Sequence, residues 1–248
     1  MGDTLRNIRI KLEYDGTEYH GRQNQPHDVT VQEKIEEAVF KVTGEKVEVI
    51  GCSRTDSGVH AKEYVANFHV GDRVPVVKFR GALNYMLPND IVVLEAEEVD
   101  EDFHARYNSK GKTYSYTILN RYMPSAIERN LVYHVKYELD VEKMKEACKY
   151  IIGKHDFAAF KTQGASAKTS VRTVSELRIE TYGEHIKFYI SADGFLYNMV
   201  RIIAGTLVLV GSGKIEPEKV KEIIESKDRR KAGHCAPASG LCLEKVFY

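Results

Sequence analysis

The sequence predicts an α+β protein, because strands and helices alternate in the same rhythm in its two halves. In the first half, residues 7–14 alternate apolar and polar side chains like a half-buried strand, and a capping box at Thr30 opens an apolar helical stripe. In the second half, residues 112–119 alternate in the same way, and Asp140 precedes a second amphipathic stripe. We therefore expect two α+β halves whose sheets meet across a cleft.

The length of 248 residues is enough for one large domain or two halves that each bury a core. We place the boundary at residue 105, with an N-terminal half at 1–105 and a C-terminal half at 106–248. Hydrophobic residues make up 43% of the chain and charged residues 29%, which is typical of a water-soluble globular protein.

Patterns of periodicity and punctuation predict the remaining elements. In the first half they are the end of the first helix at Gly44, strands at 47–51, 64–70 and 91–99, and a helix from Pro75 to 86. In the second half they are a helix from Asp140 closed by Gly153, a hairpin of strands 171–182 and 186–192 turning at Gly183, helices at 195–210 and 216–226, and a strand at 241–247. The 195–210 run is too short, and too interrupted by Asn198 and Arg201, for a membrane span, so we expect a buried helix.

Net charge and cysteine spacing bear on nucleic-acid binding, metal binding and disulfide formation. Basic and acidic residues number 36 each, so bulk charge does not indicate a nucleic-acid partner, although a locally basic face is compatible with one. The four cysteines have no Cys-x-x-Cys spacing, and small apolar positions explain Cys235 and Cys242 better than a metal site with His234. Neither a disulfide framework nor a structural zinc site is expected, and reduced thiols indicate a cytoplasmic protein.

The segment 52–61 is the most informative stretch of the chain. It follows a predicted strand and places Arg54, Asp56 and Gly58 within a few residues. A strand end that enters Asp-Ser-Gly can hold a carboxylate at the lip of a cleft, and Arg54 is close enough to neutralise that carboxylate or to bind a phosphate. An ordinary surface turn is the alternative interpretation of the same residues.

Two other residues suggest partners for this carboxylate. Arg201 lies in a nearly apolar helical stretch, where an unpaired guanidinium is costly, so it either faces outward or pairs with a carboxylate such as Asp56. Tyr114 follows Lys110 and Lys112, and a ring beside cations is suited to stacking on an unpaired base near phosphates. A tyrosine buried in a strand is the alternative for Tyr114.

Several segments together resemble the tRNA pseudouridine synthase A family over almost the whole chain. The most specific is Arg54-Thr55-Asp56-Ser57-Gly58-Val59-His60-Ala61. The others, in order, are Leu12 to Thr17 with Gly21-Arg22-Gln23, Val31 to Glu33, Asp102 to Arg106, Lys112 to Tyr116, Met199 to Arg201 with Gly205 to Leu207, and Ala236 to Leu243.

The resemblance implies a pseudouridine synthase fold, with a mixed, largely antiparallel sheet in two similar halves, flanking helices and a central basic cleft. It implies isomerisation of uridine to pseudouridine at positions 38 to 40 of the tRNA anticodon stem-loop. It further implies a homodimer that works in the cytoplasm without cofactor, metal or membrane.

The resemblance also assigns roles to individual residues. It implies that Asp56 is the nucleophile, that Arg201 forms a salt bridge to Asp56 and that Tyr114 stacks on the target base. It implies that Arg54 holds the flipped nucleotide, and that Leu241 or Leu243 packs near the site.

This chain departs from the family pattern at three positions. Arg22 stands where the family usually has Trp, and Ser53 and Ser57 replace a Gly and an Ala around the aspartate. Both serines are small enough to keep the turn, so the assignment of Asp56 stands, whereas Arg22 affects how the N-terminal motif packs or contacts RNA.

Two hypotheses from other classes compete with the isomerase. The first is a non-catalytic RNA-binding protein or chaperone, which would bind tRNA regardless of Asp56. The second is a metal-dependent hydrolase using Asp56, His60 and another carboxylate, although the sequence lacks an evident cluster of His and Asp ligands.

Overall fold

The structure is a computed structural model, and it describes residues 5–19, 21, 29–162 and 168–248. These residues form two compact units. Unit 1 extends from the N-terminal part of the chain to Lys110 and takes in Leu243–Tyr248, and unit 2 is Gly111–Cys242. The division thus falls at Lys110 rather than at residue 105, and the end of the chain, with Leu243, belongs to unit 1.

The described residues contain both strands and helices in each unit. The strands are β1 Arg6–Tyr14, β2 Ile50–Gly51, β3 His60–Val70, β4 Ile91–Val99, β5 Gly111–Asn120, β6 Tyr133–Val135, β7 Gly153–Asp156, β8 Val171–Tyr182, β9 His185–Ala192 and β10 Leu241–Phe247. The α-helices are α1 Val31–Thr43, α2 Val76–Met86, α3 Val141–Ile151, α4 Met199–Gly211 and α5 Lys219–Ser226. The α+β class predicted from the sequence is confirmed.

The sheet of unit 1 has the strand order β4-β1-β3-β10, and β2 pairs with β3. Strand β1 is antiparallel to both β3 and β4. Its apolar residues Ile8, Ile10 and Leu12 are fully buried, whereas the alternate residues Arg9 and Lys11 form ion pairs with glutamates of β4. The period-2 pattern of β1 therefore divides a core face from a solvent face, as predicted.

Helix α1 begins and ends at the residues that the sequence indicates. The Thr30 hydroxyl accepts a hydrogen bond of 3.2 Å from the Glu33 N–H, so one otherwise unpaired N–H group of the first turn is satisfied. Gly44 ends the helix in the left-handed conformation, with φ of +78°, and its N–H donates to the Phe40 carbonyl. The prediction for α1 is confirmed, as is the start of α2 after Pro75.

The predicted strand at 47–51 is wrong for its first three residues. Only Ile50 and Gly51 pair with β3. The Val49 N–H instead donates to the Glu36 carboxylate on α1 at 3.0 Å, so a helix side chain holds this segment. Apolar alternation alone does not reveal that competition.

The sheet of unit 2 has the strand order β6-β5-β9-β8-β7. Strand β6 is parallel to β5, and β5–β9, β9–β8 and β8–β7 are antiparallel, so the sheet is mixed and largely antiparallel. The predicted hairpin of β8 and β9 is confirmed, with Gly183 at φ of +56° in the turn. The short strands β6 and β7 were not predicted.

Three helix boundaries in unit 2 differ from the predictions. Helix α4 begins at Met199 rather than 195, because Asn198 has a left-handed backbone with φ of +61°. Helix α3 ends at Ile151, and Gly153 starts β7 instead of capping the helix. The segment from Glu216 forms separate turns before α5 begins at Lys219. In the described residues, no helix has the length and apolar character to span a membrane.

Candidate active site

Asp56 lies in the loop that joins β2 to β3 in unit 1. The Val59 N–H donates to the Asp56 carbonyl at 3.2 Å and closes a turn in which Gly58 has φ of +76°. A side chain other than glycine is strained at that angle, which explains the glycine of the motif. Asp56 is half-buried and Arg54 is exposed. The loop therefore presents a carboxylate at the edge of the unit 1 core.

Two phenols from the core of unit 1 hold the loop before Asp56. The Tyr64 hydroxyl donates to the Ser53 carbonyl and accepts from the Ser53 N–H at 3.3 Å. The hydroxyls of Tyr14 and Thr55 share a buried hydrogen bond of 2.9 Å. Both tyrosines are nearly inaccessible to solvent. They fix the backbone directly before Asp56 to strands β1 and β3.

The N-terminal motif packs against the same loop. A Cβ on Gly16 would lie 2.0 Å from the Val59 carbonyl oxygen, and one on Gly21 would lie 2.8 Å from the Thr55 carbonyl oxygen. The Tyr19 carbonyl accepts hydrogen bonds from the Ser57 hydroxyl and the Gly58 N–H. Only glycine permits backbones to approach this closely, so the two motifs form one structural element.

His60 links the two motifs at the start of β3. Its Nδ1 lies 3.1 Å from the Gly16 nitrogen and 3.1 Å from Oδ1 of Asp15. Partial burial raises the pKa of Asp15, but hydrogen bonds from Thr17 and the interaction with His60 outweigh it, and the pKa of Asp15 falls below its usual value. Asp15 is thus held as a carboxylate beside the loop.

Tyr114 lies on β5 in unit 2, with only 7% of its surface exposed. The ring of Phe195 meets it edge-on, with centroids 5.0 Å apart and planes at 84°. This contact fixes the plane of the Tyr114 ring, as a stacking platform requires. The predicted strand is confirmed, the burial of Tyr114 is that of the alternative interpretation, and its role towards a base stays a prediction.

Arg201 lies in the first turn of α4, where it is half-buried. Its Nε donates to the Ala236 carbonyl at 2.8 Å, and its Nη1 donates to Oδ1 of Asn198 at 2.9 Å. The Ala236 N–H returns a hydrogen bond to the Arg201 carbonyl. Unit 2 therefore holds the guanidinium at Nε and Nη1.

Glycines bring residues 233–240 against the elements that carry Arg201 and Tyr114. A Cβ on Gly205 of α4 would lie 2.0 Å from the His234 carbonyl oxygen, and one on Gly233 would lie 2.4 Å from the Thr206 nitrogen. A Cβ on Gly240 would lie 2.7 Å from the Tyr116 ring. These approaches fix the segment that includes Ala236.

The leucines assigned by resemblance lie on β10. Leu241 is 6% exposed at its start, and Leu243 is fully buried. Within the described ranges, no group of three or more His, Cys, Asp or Glu side chains could hold a metal ion. No disulfide joins the four cysteines, all of which lie among the described residues.

Comparison with known proteins identifies the family. The family model described as tRNA pseudouridine synthase matches residues 11–108 and 147–248. The tRNA pseudouridine synthase A 2 of Clostridium perfringens is 63% identical to this chain, over 98% of the chain and 100% of that protein. The chain belongs to the tRNA pseudouridine synthase A family. It is therefore an isomerase with tRNA as substrate.

Other synthases agree with this assignment. The tRNA pseudouridine synthase A of Clostridium acetobutylicum is 56% identical, and that of Acetivibrio thermocellus is 54% identical; each match covers 98% of this chain and 100% of the relative. The α+β architecture is thus that of a pseudouridine synthase, as predicted. Isomerase activity replaces the two alternatives, a non-catalytic RNA-binding protein and a metal-dependent hydrolase.

The predicted site residues of this pseudouridine synthase divide between the two units. Asp56, Arg54 and Leu243 belong to unit 1, and Tyr114, Arg201 and Leu241 belong to unit 2. The ion pair between Asp56 and Arg201 stays a prediction. Arg22 and Gln23, which carry one departure from the family pattern, lie outside the described residues.

Sequence reasoning missed the residues that support this site. Asn198 was noted only as an interruption of an apolar run, yet its amide binds Arg201. Its position before an apolar helical stripe indicates at most a helix start, so the sequence carried no signal for its contact with Arg201. Tyr64 carried no signal in the sequence, since a buried tyrosine of a strand has the same pattern whether or not its hydroxyl holds a loop.

Proposed function

We propose that this synthase converts uridine to pseudouridine at positions 38 to 40 of the tRNA anticodon stem-loop, with Asp56 as the nucleophile. The observation that carries the proposal is the Asp56 loop, which two buried phenols and the N-terminal motif hold rigidly while its carboxylate stays half-buried. Catalytic groups need such support, since small displacements of a nucleophile cost rate.

The reaction is an isomerisation in which atoms balance within the base and sugar. The bond between C1′ and N1 breaks, the uracil rotates, and a bond forms between C1′ and C5. The hydrogen on C5 leaves to solvent, and N1 gains a proton. Asp56 acts either by attack on the base or at the sugar, by adding to it or taking a proton from it, and both routes need an ionised carboxylate near the target nucleotide.

A uracil within a stem must leave its stack to reach a buried carboxylate, and its lost stacking must be replaced. In this proposal Tyr114 provides the replacement ring, which the edge-on contact with Phe195 supports. The exposed Arg54 binds the flipped nucleotide or its phosphate. Leu241 or Leu243 packs near the site.

Arg201 acts as the salt-bridge partner of Asp56 in the proposed site. A guanidinium that is already fixed at Nε and Nη1 can bind a carboxylate with little further loss of side-chain entropy. Its charge keeps the Asp56 carboxyl ionised and orients it.

We further propose that the enzyme acts as a homodimer in the cytoplasm, in line with the family it belongs to. The absence of a disulfide among the four cysteines, all within the described part of the chain, is compatible with a reducing compartment. Light scattering of the purified protein tests the dimer, and a monomer at working concentration would contradict it.

Release of tritium from tRNA labelled at C5 of uridine tests the function. We expect Asp56→Asn to lose more than about a thousandfold in rate, the scale of losing a catalytic nucleophile. Asp72→Asn, on the exposed turn after β3, removes the same charge and should release tritium like the wild type. Full release by Asp56→Asn would reject the assignment.

The positions are tested with tRNA transcripts that keep a single uridine at 38, 39 or 40. Pseudouridine at these positions is the expected product. A product found only elsewhere in the tRNA would reject the anticodon stem-loop as the target.

A further inference from the structure

Asn198 has an unusual backbone directly before the helix that carries Arg201. Its φ and ψ of 61° and 10° are left-handed, and among the non-glycine residues that the structure describes only Lys227 also has a positive φ. Asparagine tolerates this region better than most side chains, but the conformation still costs free energy. Such strain persists where surrounding contacts determine it, and it often marks a functional site.

The side chain of Asn198 does not serve as a helix cap. A capping asparagine accepts a hydrogen bond from a backbone N–H of the first turn, and Asn198 makes no such bond. Its Oδ1 instead accepts from Nη1 of Arg201 at 2.9 Å, and its Nδ2 donates to the Thr162 hydroxyl at 2.9 Å. Helix capping therefore does not explain what the Asn198 side chain does.

The amide connects Arg201 to a second anchored segment. The Thr162 N–H donates to the Tyr197 carbonyl at 3.2 Å, so the residue that receives Nδ2 is itself fixed beside Asn198. An amide has an acceptor on one side and a donor on the other, and the Arg201 guanidinium, which can only donate, selects the orientation with Oδ1 towards it and Nδ2 towards Thr162. The Thr162–Asn198–Arg201 chain thus has a defined direction.

The hydrogen bonds from Thr162 through Asn198 to Arg201 determine the orientation of the guanidinium. The Ala236 carbonyl holds Nε at 2.8 Å, and Asn198 holds Nη1. Because the guanidinium is planar, two fixed nitrogens also fix the direction of Nη2.

We propose that Asn198 is a positioning residue for catalysis, which uses its anchor on Thr162 to orient Arg201 towards the Asp56 carboxylate. The inference rests on the proposed function of Arg201 and adds to it a residue without an assigned role. Asn198 acts through Arg201 and does not itself touch the substrate. The left-handed backbone is the cost of placing the amide between Thr162 and Arg201.

Asn198→Gly is the decisive variant, because glycine adopts the left-handed backbone without strain while the amide is lost. We expect near wild-type unfolding midpoint and tRNA Kd, and a kcat reduced between about tenfold and about a hundredfold, as for one lost hydrogen bond to a charged group. Lys227→Gly is the matched control, since it also places glycine at a residue with a left-handed backbone, here at the end of α5. Its kcat should not change.

Two further variants separate a positioning role from a structural one. The lysine of Arg201→Lys lacks the planar guanidinium that Asn198 orients. Adding Asn198→Gly in that background should therefore lower kcat no further. Asn198→Asp keeps an acceptor for Arg201 but adds a charge that competes with Asp56. It should lower kcat and move the acidic limb of the pH–rate profile to higher pH.

The outcomes distinguish the inference from the function on which it rests. A wild-type kcat in Asn198→Gly, or an equal loss in the Arg201→Lys background, overturns the role of Asn198. If Asn198→Gly does not fold, Asn198→Asp decides instead, and an unchanged kcat and pH profile would overturn the inference. Full activity in Asp56→Asn overturns the proposed function itself.

Discussion

The hydroxyl groups of Tyr14 and Thr55 lie 2.9 Å apart in the core of unit 1. Thr55 directly precedes Asp56, the proposed nucleophile. Tyr14 is the last residue of β1, so the bond connects the loop to the middle of the sheet, where β1 lies between β3 and β4. A buried hydroxyl that loses its partner costs more than the bond itself contributes. The pair therefore links the stability of unit 1 to the geometry of the loop.

Tyr14→Phe should reduce the free energy of unfolding by about 1–3 kcal/mol, because Thr55 stays buried without this partner. The rate of tritium release should fall more than tRNA affinity does, since the change affects the support of the loop and Tyr14 itself is buried. Urea unfolding and single-turnover kinetics measure the two effects.

Tyr85→Phe is the control, because that tyrosine is 85% exposed on α2 and should tolerate loss of its hydroxyl. The double variant Tyr14→Phe with Thr55→Val should be more stable than the sum of the single changes predicts, because both polar partners are then removed. An additive double variant would show that the two hydroxyls do not act as a pair.

Gly205→Ala should be severely destabilising, because its Cβ would lie 2.0 Å from the backbone oxygen of His234. Gly81→Ala in α2 is the matched control, since a Cβ there meets nothing within 4 Å. It should raise the free energy of unfolding by about 0.5–1 kcal/mol through helix propensity. Thermal unfolding of both variants is the measurement, and equal midpoints would contradict the close packing of residues 233–240 on α4.

Asp156 should make stability depend on acid pH. The Ser170 hydroxyl donates to its carboxylate at 2.5 Å and the Lys227 ammonium lies 3.0 Å away; the bond from Ser170 lowers the pKa of Asp156 and outweighs burial, and Lys227 lowers it further. A carboxylate with a lowered pKa stabilises the fold above its unfolded-state pKa of about 3.9, and this contribution is lost as pH falls through the folded pKa.

The free energy of unfolding should therefore fall more steeply below about pH 4 in the wild type than in Asp156→Asn. Asp72→Asn makes the same charge change at an exposed turn and controls for net charge. Urea titrations at a series of pH values measure the slopes. Identical slopes in the wild type and Asp156→Asn would contradict the prediction.

Tyr114 should act through its ring. Tyr114→Phe keeps the stacking surface and should retain most of kcat/KM, whereas Tyr114→Ala should lose about tenfold to a hundredfold, the equivalent of one base–aromatic stack. Steady-state kinetics with tRNA measure both. A loss as large in Tyr114→Phe as in Tyr114→Ala would assign the role to the hydroxyl.

Many helix and strand limits could be predicted from the sequence, because the interactions that set them involve only a few neighbouring residues. Thr30 and Gly44 set the limits of α1 through a cap hydrogen bond and a left-handed φ, and both could be recognised in the sequence. Strands β4 and β10 were also predicted with their observed limits.

Features that depend on distant partners could not be predicted. Strand β6 forms because Tyr133–Val135 pairs with β5. A segment of three residues is too short for its hydrophobic periodicity to indicate a strand. The start of α4 depends on Asn198, whose side chain is held by Thr162 and Arg201. For the site, Asp56 could be recognised from its motif, whereas the hydroxyls that hold its loop come from β1 and β3 and need the fold.

The return of the chain into unit 1 has a consequence for biosynthesis. Strand β10 lies beside β3, the Lys110 N–H donates to the Phe247 carbonyl, and the Tyr248 hydroxyl donates to the Ala105 carbonyl. A ribosome makes Asp56 and its loop well before it makes residues 243–248, so the nascent unit 1 has an unfinished sheet edge that invites wrong pairing. The sheet of the unit that holds the Asp56 loop therefore receives its last strand only after unit 2 has been translated.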